Sequence, residues 1–301
     1  MRRSVSVVIP SYNSFKTIEY TLKGLLRQTG GFIKEIIIVD SSNDGKTLEL
    51  LSKYQSEKIR IIKALAGPGA ARNIGVKNSR ADILVFIDSD AYPAPAWIEN
   101  IIKAYDNGCM IGGGSISVPD FQTNKIIALA QFFLQYNEYM NSGKARIKEF
   151  VPSAAMFCDR KLFERFGGFP AIRAAEDVMF CLAVNKTAPV WFVPDIKVYH
   201  IFKEDIESFL KNQMLLGKYI IIYRRLHEKH VFYYKGLWPL LFLPGFLSIK
   251  LYRITSRILK SNPRFIAQFI LSLPMFLIGL AFWTIGFIKG IFLNEKKMIS
   301  R

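Results

Sequence analysis

Ile83-Leu84-Val85-Phe86-Ile87-Asp88-Ser89-Asp90 decides how this chain reads. Five apolar residues make a short strand pattern, and two carboxylates, two positions apart, close it. Outward from this stretch the pattern repeats. Val5–Ile9, Glu35–Val39 and Ile59–Lys63 are further short β-branched runs bounded by turn residues. Helical patterns lie between them. Ile18, Leu22, Leu25 and Leu26 share one helix face, and Leu48–Tyr54, Ala70–Lys77 and Pro95–Tyr105 also read as helices. Alternating strands and helices predict an α/β fold with a mostly parallel central sheet covered by helices.

In such sheets the ligand crevice lies beyond the carboxyl ends of the strands. There the chain places Pro10-Ser11-Tyr12-Asn13, Asp40-Ser41-Ser42-Asn43-Asp44-Gly45, Gly67-Pro68-Gly69-Ala70-Ala71-Arg72-Asn73 and Asp88-Ser89-Asp90. Singly, each is an ordinary set of turn formers. Four at one sheet edge argue for a site. Further on, Met110–Val118 reads as a strand interrupted by Gly112-Gly113-Gly114, where a ligand would approach the backbone. Ile126–Met140 reads as a helix, either of the core or touching an acceptor.

Asp88-x-Asp90 suits a hard divalent cation and the phosphates it binds, although the spacing alone is common. Asp40 is placed to accept hydrogen bonds from a base or ribose, Tyr12 to stack on a base, and Arg72 to face a phosphate near a helix N-terminus. Together they suit a nucleotide diphosphate held with a metal. Glu176-Asp177 opens a helical stretch, where the helix dipole favours charged carboxylates. A carboxylate there serves as a general base toward an alcohol, or merely caps the helix in solvent. His200 ends a strand-like run; it reads as a third metal ligand beside Asp88 and Asp90, or as a buried, hydrogen-bonded histidine.

Val8-Ile9-Pro10-Ser11-Tyr12-Asn13, Val39-Asp40, Ala71-Arg72-Asn73, Phe86-Ile87-Asp88-Ser89-Asp90, Gly167-Gly168-Phe169 and Glu176-Asp177 occur in an order that resembles the inverting glycosyltransferases of family 2, with the GT-A fold. The resemblance covers residues 4–202. It implies that Pro10, Tyr12 and Asp40 line the base and ribose, with Arg72 near the nucleotide. It implies that Asp88 contacts ribose or metal, that Asp90 binds the metal (Mn2+ or Mg2+), and that Asp177 is the catalytic base with Glu176 beside it. His200 matches a metal ligand of some relatives. Two departures stand out. Ser41 occupies a position where many relatives carry a second acid or amide. The Gln-x-x-Arg-Trp of processive synthases is absent; Gln213-Met214-Leu215-Leu216-Gly217 lacks both Arg and Trp. The expectation is therefore single-sugar transfer from a nucleotide-sugar donor to a lipid-linked or cell-envelope glycan acceptor. A polyprenyl-phosphate sugar synthase is the alternative, and a non-catalytic membrane scaffold of the same fold a lower one.

Other classes fit less well. Adjacent Glu176 and Asp177 cannot flank a glycosidic bond as a glycosidase requires. No G-x-G-x-x-G follows the first strand, as a dinucleotide oxidoreductase needs. The Gly-rich, Lys-containing loop of a sugar nucleotidyltransferase is also missing there. Cys109, Cys158 and Cys181 show no C-x-x-C spacing and read as core residues. Met1-Arg2-Arg3 is basic, but the apolar run behind it is too short for a signal peptide and reads as a strand.

The chain has 301 residues and a net charge of +17. Residues 1–200 carry 25 Lys/Arg against 19 Asp/Glu, whereas residues 201–301 carry 16 against 5. Between Lys229 and Asn294 there is no acid, and the apolar runs are longest there. Basic and apolar together point to an anionic membrane surface as partner, not to nucleic acid. Lys250, Arg253, Arg257, Lys260 and Arg264 fall on one side of a helix, opposite Leu251, Ile254, Ile258 and Leu259. Residues 265–288 hold no charge in 24 positions, enough to cross a bilayer of ~30 Å. Leu237–Ile249, with Pro239 and Pro244, suits a re-entrant or interfacial segment. We therefore expect a catalytic domain over 1–203, and a helical, basic and apolar membrane region over 204–301 whose helix 265–288 is transmembrane or monotopic. If that helix is the sole span, five Lys/Arg before it against four after it favour a catalytic domain on the cytoplasmic side of the membrane.

Overall fold

Apolar runs long enough for one strand, each followed by an amphipathic helix, set the first half of the molecule. A computed structural model describes residues 3–172, 174–227 and 231–293. In chain order the elements begin β1 (Val5–Ser11), α1 (Ile18–Leu26), β2 (Ile33–Asp40), α2 (Lys46–Ser52), β3 (Ile59–Lys63), α3 (Pro68–Lys77) and β4 (Ile83–Phe86). Then come β5 (Ala91–Pro93), α4 (Trp97–Asp106), β6 (Ile111–Ser117) and α5 (Ile126–Tyr136). β7 (Arg146–Lys148), β8 (Met156–Asp159), α6 (Arg160–Arg165), α7 (Glu176–Val184) and β9 (Val190–His200) follow. The chain continues with α8 (Ile206–His227), α9 (Trp238–Leu241), α10 (Leu243–Ser256) and α11 (Ile266–Ile291).

The chain divides into two compact units. The first comprises Met1–Ser117 and Lys144–His200, the second Val118–Gly143 and Ile201–Arg301. Helix α5 thus belongs with the C-terminal helices, although a continuous catalytic stretch over 1–203 was expected.

The first unit is a sheet in the order β3-β2-β1-β4-β8-β6-β9-β5, with β7 also paired to β9. β3, β2, β1 and β4 pair in parallel, as do β6 and β9. β8 runs antiparallel between β4 and β6, and β5 and β7 run antiparallel to β9. Most strands therefore share one direction, and their carboxyl ends gather at one edge. β4 is buried throughout, as a strand covered on both faces must be. Ile18, Leu22 and Leu25 of α1 are buried as their spacing predicts, but Leu26 is 51% exposed.

The glycines of β6 differ from expectation. A Cβ on Gly114 would lie 1.5 Å from the Ile196 carbonyl oxygen, and one on Gly112 2.7 Å from that of Trp191. At Gly112 and Gly114 the close approach is made by the backbone of β9, not by a ligand. Cys109, Cys158 and Cys181 are buried free thiols, as expected of core residues.

The second unit is helical. Phe132 and Phe133 of α5 pack with Phe209 of α8, Ile254 of α10, Phe276 of α11 and Ile258, between α10 and α11, in one apolar cluster. That makes α5 a core helix of this unit. Small residues let α8 and α11 touch backbone to backbone: Cβ atoms on Gly217 and Gly286 would lie 1.9 Å from the Trp283 oxygen and 2.0 Å from the Met214 oxygen. The continuous basic helix expected over 250–264 is broken. α10 ends at Ser256, a π-helical turn spans Arg257–Ser261, and Pro263–Phe265 is 3-10 helical. Two of its five cations also turn inward. Lys250 Nζ sits 4.5 Å from the Trp283 ring centroid, and burial pushes it down to about 8. Arg257 donates to Glu138 Oε1 at 2.8 Å and Asn137 Oδ1 at 2.6 Å. Pro263–Ile291 contains an 18-residue stretch of mean hydropathy 2.2 and is long and apolar enough to cross a membrane.

Candidate active site

The loops after β1 and β2 are latched together at the carboxyl edge of the sheet. Asn13, at φ +48°, donates its backbone N–H to Ser42 Oγ at 2.7 Å, and its side chain exchanges hydrogen bonds with Asn43. Asparagine is one of the few residues that tolerates this left-handed conformation. Asp40, at the end of β2, is fully buried. Its Oδ1 accepts from the hydroxyls of Ser11 (2.9 Å) and Ser42 (2.6 Å), while Oδ2 meets no hydrogen-bond partner among the described residues. Pro10 is half-buried in β1 and Tyr12 is 61% exposed beside it. The Ser41 hydroxyl is taken by the Ala64 carbonyl at 2.6 Å.

Asp88-Ser89-Asp90 turns the chain from β4 into β5, closed by the Ala91 N–H donating to the Asp88 carbonyl at 3.1 Å. β5 pairs with β9 so that Ala91 lies opposite His200. This register delivers His200 to the two aspartates across more than a hundred residues of chain. Its Nε2 is 3.4 Å from Asp90 Oδ1, and one ligand atom from each of Asp88, Asp90 and His200 lies within 4.8 Å of the others. Two carboxylate oxygens and an imidazole nitrogen form a donor set suited to Mn2+ or Mg2+. The three residues thus fit a divalent cation.

Arg72, expected near the nucleotide, is held by two carboxylates of the site. Pro68 at the start of α3 sets the helix, and Arg72 points inward from it, 3% exposed. Nη1 donates to Glu176 Oε1 at 2.8 Å and Nη2 to Asp88 Oδ1 at 2.5 Å. The guanidinium therefore ties the Asp-x-Asp turn to the start of α7. Burial alone would lower its pKa, but Asp88, Glu176 and Asp177 more than offset that and raise it. Phe169 supports it, with the guanidinium carbon 5.7 Å from the ring centroid.

Glu176 and Asp177 occupy the first turn of α7 in different settings. Glu176 is buried. Burial first, then the neighbouring Asp177 carboxylate, push it up to about 7 against the pull of Arg72. The helix dipole was expected to favour charge on both residues; at Glu176 desolvation wins. Asp177 is only half-buried. Its Oδ2 accepts from the Ser153 N–H at 2.9 Å and its Oδ1 from the Val178 N–H at 2.8 Å. Ala175, the residue before the pair, adopts φ +66°, a left-handed conformation that is costly for alanine.

Three supporting parts had no role assigned from the sequence. Asn73 clamps the loop before α7 by donating to the Phe169 carbonyl at 2.8 Å and accepting the Phe169 N–H at 3.0 Å. Gly69 lets α3 approach α7; a Cβ there would sit 3.0 Å from Glu176 Cγ. The backbone of Ser153 holds Asp177. Gly69 and Asn73 lie in the turn-rich stretch after β3, where the neighbouring Arg72 signals them. Ser153 acts through its main chain, which no side-chain pattern shows.

Residues 6–167 match the family model described as Glycosyl transferase family 2. The chain is similar to the Poly(ribitol-phosphate) beta-N-acetylglucosaminyltransferase TarS of Staphylococcus aureus, 34% identical over 94 residues, 29% of this chain and 16% of TarS. It is also similar to the Poly(ribitol-phosphate) beta-glucosyltransferase of Bacillus spizizenii, 27% identical over 217 residues, 67% of this chain and 33% of the relative. The chain spans well under half the length of these curated relatives. Among solved structures, S. aureus TarS 1-349 in complex with UDP is similar in fold, with a TM-score of 0.53 at 17% identity, over 96% of this chain and 90% of that one.

Proposed function

The chain belongs to glycosyl transferase family 2, and on that premise we propose that it moves a single sugar from a nucleotide-diphosphate sugar to a lipid-linked or cell-envelope glycan acceptor, with inversion. One observation carries this reading. Arg72 joins a candidate metal-binding turn, Asp88-Ser89-Asp90 with His200, to the acidic start of α7, where Asp177 remains half-open.

In this reading the base and ribose lie over Pro10 and Tyr12, and the unpartnered Oδ2 of Asp40 accepts a hydrogen bond from them. A nucleotide reaches Asp40 by displacing the hydroxyls that wall it. Asp88, Asp90 and His200 would hold the cation. Bound there, Mn2+ or Mg2+ supplies positive charge against the charge that grows on the departing diphosphate. Asp177, oriented by the Ser153 N–H, takes the acceptor hydroxyl proton as that oxygen attacks the anomeric carbon opposite the leaving group. The bond to the diphosphate breaks as the new glycosidic bond forms, which inverts the anomeric centre. Arg72 serves as a positioning residue for Asp88 and Glu176, because both its terminal nitrogens are engaged by them. The basic, apolar second unit attaches the enzyme to an anionic membrane, with the catalytic unit on the cytoplasmic side.

The relatives suggest where to begin. TarS was solved with UDP, so uridine diphosphate sugars are the first donors to try, with poly(ribitol-phosphate) and polyprenyl phosphate as acceptors. With Mn2+ present, transfer is expected, and chelation with EDTA is expected to remove it. Asp177→Asn should slow transfer by ~10²–10⁴-fold while donor binding by calorimetry is kept. Near-normal transfer by that variant would sink the assignment of the base.

A further inference from the structure

Helix α11 is two-faced along its whole length. Its inner face carries Gly279, Trp283, Gly286 and Gly290 against α8, while Phe265 just before it and Phe269 in its first turns stack on Phe132 and Phe133 of α5. Its outer face is equally apolar and exposed, with Ile270, Leu277, Ile278 and Ile285 recurring at helical spacing. A crossing helix would take its inner-face neighbours into the hydrocarbon with it. Those neighbours carry charged and amide groups beside the apolar residues that pack on α11. α8 carries Lys211, exposed and paired with Glu207, and Lys218, whose carbonyl lies against Gly290. Gln135 of α5 donates to Asn212 of α8 at 2.7 Å. Ionisable and amide groups at the bilayer centre are expensive.

The flanks complete the picture. Residues 231–293 hold seven Lys/Arg and no Asp/Glu. Lys235, Arg253, Lys260, Arg264 and Lys289 among them are exposed. Trp238, Leu241, Ile249 and Tyr252 of α9 and α10 are exposed apolar and aromatic residues on the same acid-free stretch. A second copy of this surface would bring like charges together with no acid to pair them. Anionic headgroups complement it, and exposed Trp and Tyr favour the membrane–water boundary.

We propose that the second unit seats on an anionic phospholipid bilayer from one side, with α11 lying in the interface instead of crossing the membrane. The proposal rests on the membrane attachment argued above. α11 sinks its outer face into the acyl boundary and keeps its inner face on protein, so that the protein takes the place of the polar face of an interfacial helix. The exposed cations of α10 and of the turns around it contact the headgroups. Both ends of α11 then stay on the side of the membrane that holds the catalytic unit.

The test uses the full chain in sealed membrane vesicles from cells that make it. Single cysteine reporters, Lys58→Cys in the catalytic unit and Ser300→Cys in the tail, are labelled with an impermeant maleimide before and after permeabilisation. The parent's three buried cysteines give the blank. Equal labelled fractions for the two reporters are expected. Complementary fractions mean that α11 crosses, and overturn the proposal while leaving membrane attachment intact. In a second arm, purified chain is floated with phosphatidylcholine vesicles, with or without phosphatidylglycerol. Stronger flotation with phosphatidylglycerol is expected, and Arg253→Glu/Lys260→Glu should weaken it by ~10-fold or more. Equal flotation on both vesicles overturns the headgroup seat. Failure to float on either overturns membrane attachment as well.

Discussion

Arg72 shows how much one side chain organises. Its planar fork reaches two carboxylates from different parts of the chain, and its burial makes both contacts consequential. Arg72→Met leaves Glu176 and Asp88 without their cation and should cost about 3–5 kcal/mol in urea unfolding. Arg72→Lys restores the charge but spans only one carboxylate, so its stability should fall between the two. Glu176 gives a pH signature. Its folded pKa, about 7, lies above its ordinary value of 4.5. A raised folded pKa means that the folded state holds the proton more tightly. Its stabilising contribution is therefore complete below about pH 4.5 and disappears as pH rises through 7. The wild type should lose up to about 3 kcal/mol relative to Glu176→Gln between pH 5 and pH 8. A pH-independent difference in melting temperature between the two would show that Glu176 does not titrate there.

At the scale of elements, glycine positions govern how closely α3 meets its neighbours. Gly69→Ala puts a methyl group 3.0 Å from Glu176 Cγ and 3.2 Å from the Pro170 carbonyl, so Glu176 must shift. We expect reduced transfer with stability lowered by about 1–3 kcal/mol, measured by paired kinetics and unfolding. The parallel strands were readable because each apolar run is short, continuous and ended by turn residues. Ile59–Lys63 agrees with β3 to the residue. Asp88, Asp90, Glu176 and Asp177 stood out only in company, since an Asp-x-Asp turn alone is common and an acidic pair at a helix start is also an ordinary cap. The meaning of Gly112-Gly113-Gly114 was not legible, because sequence shows that something comes close without showing what. The basic helix failed for a related reason. The periodic pattern runs on through residues 257–264, where the backbone changes its winding and Pro263 interrupts it. Lys250 and Arg257 left the charged side because tertiary partners, Trp283 and Glu138, claimed them.

At the scale of the molecule, residues 118–143 matter more than their place in the chain suggests. A boundary near residue 203 follows from composition, which shifts there. Contact does not follow composition: Ala128, Leu129, Phe132 and Phe133 are buried within the C-terminal helical unit. A chain cut after residue 203 would keep α5 and lose the helices that cover it. It should precipitate or bind a hydrophobic dye when expressed, whereas the full chain in detergent should not. A soluble, dye-silent fragment would show that α5 has another cover.

The interrupted second unit also sets a schedule for synthesis. Helix α5 leaves the ribosome about 140 residues before Phe276 of α11, its apolar partner, has been made. At roughly 5–20 residues per second, its phenylalanines wait roughly 7–30 s without their native cover. The sheet edge that carries Asp88 and Asp90 also waits, for β9 with His200. A holding chaperone, or early contact with lipid, thus has a defined client window, opening with Phe133 and closing only when α11 emerges.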